Sequence, residues 1–382
     1  MIMKKRYILI LSVTTTLLLL TFTCNSCSGL STGLNKITDA ITNPTAREVY
    51  AREFRHNQAL YDAWDSAYVA SLNDSLEVAL PYGERGNFNG RDNRVYSYLI
   101  DMQEGEVLSS SVTFDSVHQR IFMDVYKWDG LAWQKADSSD PLHPIIELPI
   151  ETSGSYKLII QPEIEVISDF FIGISKKPRY GFPVSGKGNS AVMSFWGVDR
   201  DGGKRRHEGI DIFAKKGTPV VAATDGTVGF TGERGIGGKQ VWLREGLLGN
   251  SLYYAHLDSI AVEGGTRVKA GDTLGFVGNT GNAQFTPPHL HFGIYKNGAV
   301  NPLPFVYKTE NISVMQFPKT FNSGIQKVKG RANLRKGPAT TFAAIGSLGT
   351  NDSVYILGQA KDWLHIETLT GQKAFLHKSL LR

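Results

Sequence analysis

The chain has almost no cysteine: two in 382 residues, Cys24 and Cys27, both at the end of its opening segment. Whatever folds beyond them has no internal disulfide and must stand on its own cores. A real surplus of charge is lacking too. The formal net charge is +5, but three of the 41 basic residues are Lys4, Lys5 and Arg6, and the other 38 face 36 acidic ones. A nucleic-acid face needs clustered Lys and Arg, so this balance argues against a nucleic-acid partner. No acidic residue occurs in the first 27 positions, and the apolar run from about Ile8 to Phe22 is short and rich in threonine for a membrane-spanning helix. The glycine-rich "GERGIGGK" contains neither a P-loop nor a dinucleotide fingerprint.

What is present is ordinary globular material: 41% hydrophobic and 20% charged residues, enough for sizeable cores, over a length that suits two to four domains. The basic start followed by an apolar run reads as a secretory signal, residues 1–27. A cysteine closing such a segment resembles the lipidation site of a bacterial lipoprotein. Cys27, preceded by the small Ser26, fits that processing better than Cys24 after Thr23, and both stay candidates. The expectation is a protein secreted across the inner membrane and held by an N-terminal lipid, in the periplasm or at the cell surface.

Residues 28–84 carry a helical pattern. In "NPTAREVYAREF" Asn43 reads as the cap and Pro44 as the first turn, with Leu60, Trp64 and Tyr68 following at helical intervals. The cluster "PYGERGNFNGRD", residues 81–92, reads as turns that end the region. Residues 85–176 change to short strands and predict a jelly-roll-like β-sandwich, in which His118 and His143 have no ligand role. Residues 178–305 alternate β runs with glycine turns and predict an antiparallel β domain. A looser stretch from about 303 supplies a linker, 306–325, before β character returns at 326–382. That tail resembles a bacterial SH3-type domain through "ANLRKGP", "DWLHIE" and "KSLL", with Phe375-Leu376 where such domains often carry Trp-Val. His365 and His377 belong to that fold. The fold class is therefore mainly β: a short helical region, a β-sandwich, an antiparallel β domain and a small SH3-like barrel.

Chemistry concentrates in the third region. In "PPHLHFGIY", residues 287–295, strand alternation sends Leu290, Phe292 and Ile294 to one face and His289, His291 and Tyr295 to the other. Upstream, "RRHEGIDIF" places His207 and Asp211 four residues apart, with Gly209, Ile210 and Ile212 favouring an extended chain. "LYYAHL" puts His256 on a strand in alternation with Tyr254 and Leu252. Imidazole nitrogen and carboxylate oxygen suit zinc, with three protein ligands and one position for water. The helical H-E-x-x-H is absent, because His207-Glu208 is followed by Gly-Ile-Asp. Spacing alone leaves open which three of the five residues hold a metal.

The order "HEGID", "YYAHL", "HLHF", with "GTPVVAATDGTV" and "VKAGDTLGFVGNTG" between, resembles the lysostaphin-type (LytM-type) zinc endopeptidases over about a third of the chain. The resemblance implies that His207, Asp211 and His291 hold Zn2+ and that His256 and His289 are catalytic. It implies a substrate as well, the peptide stems or cross-bridges of bacterial peptidoglycan. The alternative is a peptidase fold without hydrolysis, which binds the cell wall or activates another hydrolase. Relatives of that kind lack metal-site residues, and here every motif position is filled.

Overall fold

The computed structural model describes residues 44–89, 94–114, 119–310 and 323–382. The expected signal segment, with Cys24 and Cys27, and His118 lie outside the described residues. The chain divides after Gln58 into two units. In the first, helix α1 (Ala46–Ala51) opens at Thr45, two residues later than the expected cap at Asn43. Thr45 Oγ1 accepts from the Glu48 amide at 3.2 Å, and Glu48 Oε2 accepts from the Thr45 amide at 2.7 Å. This reciprocal capping box outcompetes the Asn-Pro signal just before it.

The second unit begins within helix α2 (Gln58–Ser71), at Ala59, and buries that helix's Trp64 and Tyr68. Trp64 Nε1 donates to the Pro162 carbonyl at 2.8 Å, and Gln161 Nε2 donates to the Trp64 carbonyl at 2.8 Å, so the helix is pinned to a β-sandwich. The sandwich strands are β1 (Tyr82–Asn89), β2 (Tyr96–Met102), β3 (Glu106–Phe114) and β4 (Ile121–Trp128). They continue with β5 (Trp133–Ser138), β6 (Ile145–Pro149), β7 (Gly154–Pro162) and β8 (Ile167–Pro178). One sheet runs β1-β8-β3-β6 and the other β2-β7-β4-β5. Tyr98, Leu108, Ile121, Leu158 and Ile172 fill the space between them.

Strand β1 occupies the stretch expected to be a turn cluster. Tyr82, Glu84 and Phe88 point inward as on any half-buried strand. The glycine that suggested a turn is there for close approach: a Cβ on Gly86 would stand 2.3 Å from the Phe170 ring and 2.6 Å from the Leu357 carbonyl.

The next domain contains β9 (Val192–Ser194), β10 (Asp199–Arg200), β11 (Arg205–Arg206), β12 (Ile210–Phe213), β13 (Pro219–Val221) and β14 (Gly226–Glu233). Then come β15 (Lys239–Arg244), β16 (Ser251–Ile260), β17 (Arg267–Val268), β18 (Thr273–Val277), β19 (His289–Tyr295) and β20 (Ala299–Val300). Its main sheet is antiparallel and runs β17-β14-β15-β16-β19-β12-β9, with β10 and β11 as a separate hairpin. Helix α3 (Leu303–Val306) closes it and carries Phe305 and Val306 into its core, so the looser stretch does not begin at 303. The last domain holds β21 (Gly324–Lys327), β22 (Ala332–Arg335), β23 (Ala344–Leu348), β24 (Ser353–Ala360), β25 (Trp363–Thr368) and β26 (Lys373–His377). Strand β24 pairs with β25 on one side and with β1 on the other, through Arg85↔Gln359 and Gly86↔Gly358.

Candidate active site

Strand β19 sits between β16 and β12, and its alternation builds one wall of a groove. Leu290, Phe292 and Ile294 are fully buried in the core, so His289, His291 and Tyr295 face the opposite side. On β12 the buried Ile210 and Ile212 likewise turn Asp211 outward, and the register sets Asp211 directly across from His291. His207 lies just before β12 and reaches the same point. Gly209 makes room there: a Cβ would stand 2.6 Å from the His291 ring.

The three groups converge. Asp211 Oδ1 lies 3.1 Å from His207 Nε2 and 3.0 Å from His291 Nδ1, and the two nitrogens are 3.0 Å apart. Backbone carbonyls fix which ring nitrogen faces inward. The Phe195 carbonyl accepts from His207 Nδ1 at 2.8 Å, leaving the Nε2 lone pair for the cluster. Thr280 and Pro287 carbonyls do the same for His256 and His289, each at 2.9 Å from Nδ1.

His256 arrives by a route that alternation does not predict. Tyr254 and Leu252 are fully buried, and strict period two would bury His256 beside them. Instead the register slips: Lys239 pairs with Leu257 and Val241 with Tyr254, so Ala255 and His256 together oppose Gln240. This β-bulge, with His256 at φ +62°, turns its imidazole into the groove. There its ring meets His289 edge-on at 5.1 Å and His291 at 5.9 Å.

Residues 205–302 match peptidase family M23, and residues 330–382 match the bacterial SH3 domain family. The chain carries a peptidase family M23 domain. It is 37% identical over 128 residues to the L-Ala--D-Glu endopeptidase of Bacillus subtilis, covering 31% of this chain and 39% of that protein. It is 38% identical over 252 residues to the peptidoglycan DD-endopeptidase ShyC of Vibrio cholerae, covering 63% and 46% respectively. The chain thus spans less than half the length of either curated relative. Among solved structures, the catalytic domain of lysostaphin from Staphylococcus simulans is 32% identical, over 33% of this chain and 90% of that one, with a TM-score of 0.27.

The donor set of the M23 domain fits zinc: two imidazole nitrogens and one carboxylate oxygen, within 4.8 Å of one another, two of the three residues buried. Magnesium or calcium would want more oxygens. Burial pushes His256 down to about 4, with His289 and His291 adding to the effect. Burial lowers His291 too. For Asp211 burial acts upward, but hydrogen bonds from His207 and His291, and their charges, outweigh it and hold the carboxyl well below the ordinary carboxylate range. The groove, about 840 Å³, is walled by Arg206, Phe213, Ile236, Tyr253 and Tyr295, with Glu208 exposed on its lining.

The five residues singled out in the sequence thus stand on one groove. The other described histidines of the sandwich and the C-terminal domain lie elsewhere: His143 is exposed beside Asp140, His377 beside Ser379, and His365 is buried against Glu84. Among the side chains at the site that escaped the sequence reading are Tyr253 and Arg200. Tyr253 meets His291 edge-on at 5.8 Å, and strand parity opposite Tyr254 could have found it. Arg200 reaches Asp211 across a hairpin, which no spacing rule announces.

Proposed function

We propose that the M23 domain is a zinc-dependent endopeptidase acting on the peptides of bacterial peptidoglycan. The observation that carries this reading is the convergence of His207, Asp211 and His291 on one point, with His256 and His289 packed beside them. The names of the relatives, which describe endopeptidases of peptidoglycan and of L-Ala–D-Glu peptides, support the substrate class. His207 Nε2, Asp211 Oδ1 and His291 Nδ1 would hold the ion. Bound zinc supplies a Lewis acid that polarises the scissile carbonyl and acidifies a water molecule. His256 and His289, each with Nδ1 tied to a carbonyl, present Nε2 for proton transfer from the attacking water to the departing amine as the C–N bond breaks. The aromatic and basic walls would seat the peptide. An N-terminal lipid at Cys27 or Cys24 would hold the enzyme at a membrane surface, and the SH3-type domain would contribute contacts to the wall.

The test pairs zinc content with digestion of purified peptidoglycan and mass analysis of the fragments. One zinc per chain, with chelator-sensitive release of defined peptides, is the expected result. His291→Ala should abolish zinc binding. His289→Ala should keep zinc and lose about 10²–10⁴-fold in turnover. Normal cutting by His289→Ala would remove that residue from the proton path, and a wild-type chain that binds no zinc would leave a wall-binding module as the better reading.

A further inference from the structure

Asp211 uses its two oxygens differently. Oδ1 faces His207 Nε2 and His291 Nδ1, at 3.1 and 3.0 Å. Oδ2 accepts from Arg200 Nη2 at 2.7 Å, and the same Nη2 donates to Ser194 Oγ at 2.8 Å. Ser194 on β9 is the residue paired with Asp211 on β12, so one guanidinium nitrogen bridges the two partners across that ladder. Arg200 is itself held in place. It lies on β10, paired with Arg205 of β11, and the hairpin turns through Gly202 and Gly203 at φ +69° and +87°.

A carboxylate can ligate a cation through one oxygen or through both. A two-oxygen grip by Asp211 would bring a fifth donor to a tetrahedral zinc site of three protein ligands and one water, crowding the position kept for that water. We infer that Arg200 is a positioning residue that confines Asp211 to one-oxygen ligation and so keeps that position open. The inference rests on the zinc reading above and deepens it. A charge-assisted hydrogen bond from guanidinium to carboxylate is roughly twice as strong as a neutral one. The Asp211 side chain is 8% exposed and that of Arg200 31%, so the contact is shielded on the carboxylate side and reachable on the other.

The experiment compares the full chain with Arg200→Ala and Arg200→Lys in two measurements besides turnover. One is zinc affinity, by competition with a chromophoric chelator. The other is the visible absorption of the cobalt(II)-loaded protein, which is stronger for four-coordinate cobalt than for five or six. Arg200→Ala should lose about 10–100-fold in zinc affinity, the usual cost of removing such an outer partner. Its cobalt band should weaken as Oδ2 joins the coordination, and Arg200→Lys should restore part of both. Wild-type affinity and band in Arg200→Ala would overturn the inference even if turnover fell, since Arg200 would then serve the substrate. Weaker affinity with an unchanged band would overturn it as well. Should Arg200→Ala fail to fold, Arg200→Gln is read in the same way. A wild-type chain that takes no metal would sink the zinc reading and this inference together, whereas normal loading matched by the variants sinks this inference alone.

Discussion

His256 shows how much one residue can be asked to do at this site. Its backbone is in the left-handed region, uncommon for a residue with a Cβ, and the residue is 7% exposed with two other histidines against its ring. Both features cost stability and both are tied to its position in the groove. Burial, with the charges of His289 and His291, sets its proton affinity near pH 4, so it is a free base at neutral pH. The same shift makes the fold pH-sensitive. In the unfolded chain the imidazole protonates near 6.5, so between about pH 6.5 and 4 the unfolded state binds more protons. Stability is then full above 6.5 and declines as pH falls toward 4, by on the order of 3 kcal/mol for this group alone. Urea unfolding of the chelator-treated chain at pH 4.5 and 7 should show the loss, and His256→Gln should flatten it. An equal slope in both proteins would assign the acid sensitivity to other groups.

At the scale of elements, glycine has two meanings that a sequence does not separate. In β1 it marks close packing rather than a turn, because Phe170 and the Leu357 carbonyl occupy the space a side chain would need. Gly86→Ala should therefore destabilise the sandwich by about 1–3 kcal/mol, the usual range for overpacking, and urea midpoints measure this directly. A neutral outcome would mean that Phe170 moves aside freely. The same ambiguity decides what was legible. Strand β19 declared itself, since period two sorts Leu290, Phe292 and Ile294 from His289 and His291 without help from any neighbour. Asp211 is legible as an extended residue for a different reason, the β-branched Ile210 and Ile212 beside it, while His207 lies just before that strand. The bulge in β16 did not show, because one extra residue leaves the hydrophobic pattern of Leu252 and Tyr254 intact right up to the point where it fails. The start of α1 was misplaced because Asn43-Pro44 and Thr45 are both start signals, and only the reach of Glu48 chooses between them. Arg200 was out of sight: its partner lies on another strand, and charge in an Arg-rich run says nothing about where it points.

Across the whole molecule, the decisive contact is the seam between the sandwich and the C-terminal domain. Strands β1 and β24 pair there, so one sheet continues from one domain into the other. Beneath the pairing lies Glu84, fully buried, which accepts from Tyr82 and Tyr98 hydroxyls and from His365 Nδ1, the last at 3.0 Å. Phe375 stacks on His365 at 5.1 Å and belongs to the sandwich core, so the position where SH3-type domains often carry Trp is spent on this interface. Lys373 reaches Asp74 at 2.8 Å, and a Cβ on Gly358 would stand 1.9 Å from Glu84 Oε1. A buried carboxylate tolerates this setting only while its donors are present; removing one partner of a buried pair costs about 3–5 kcal/mol. The C-terminal domain should accordingly behave as part of the sandwich and not as a tethered module. Calorimetry of the full chain should show the two melting in one transition, and deletion of residues 323–382 should lower the sandwich transition or abolish it. His365→Ala should shift that same transition down, since His365 donates to the buried Glu84 and does not line the M23 groove. If the truncated chain kept its sandwich transition, the seam would be a contact of convenience, and the C-terminal domain would be free to bind the wall independently of where the M23 groove points.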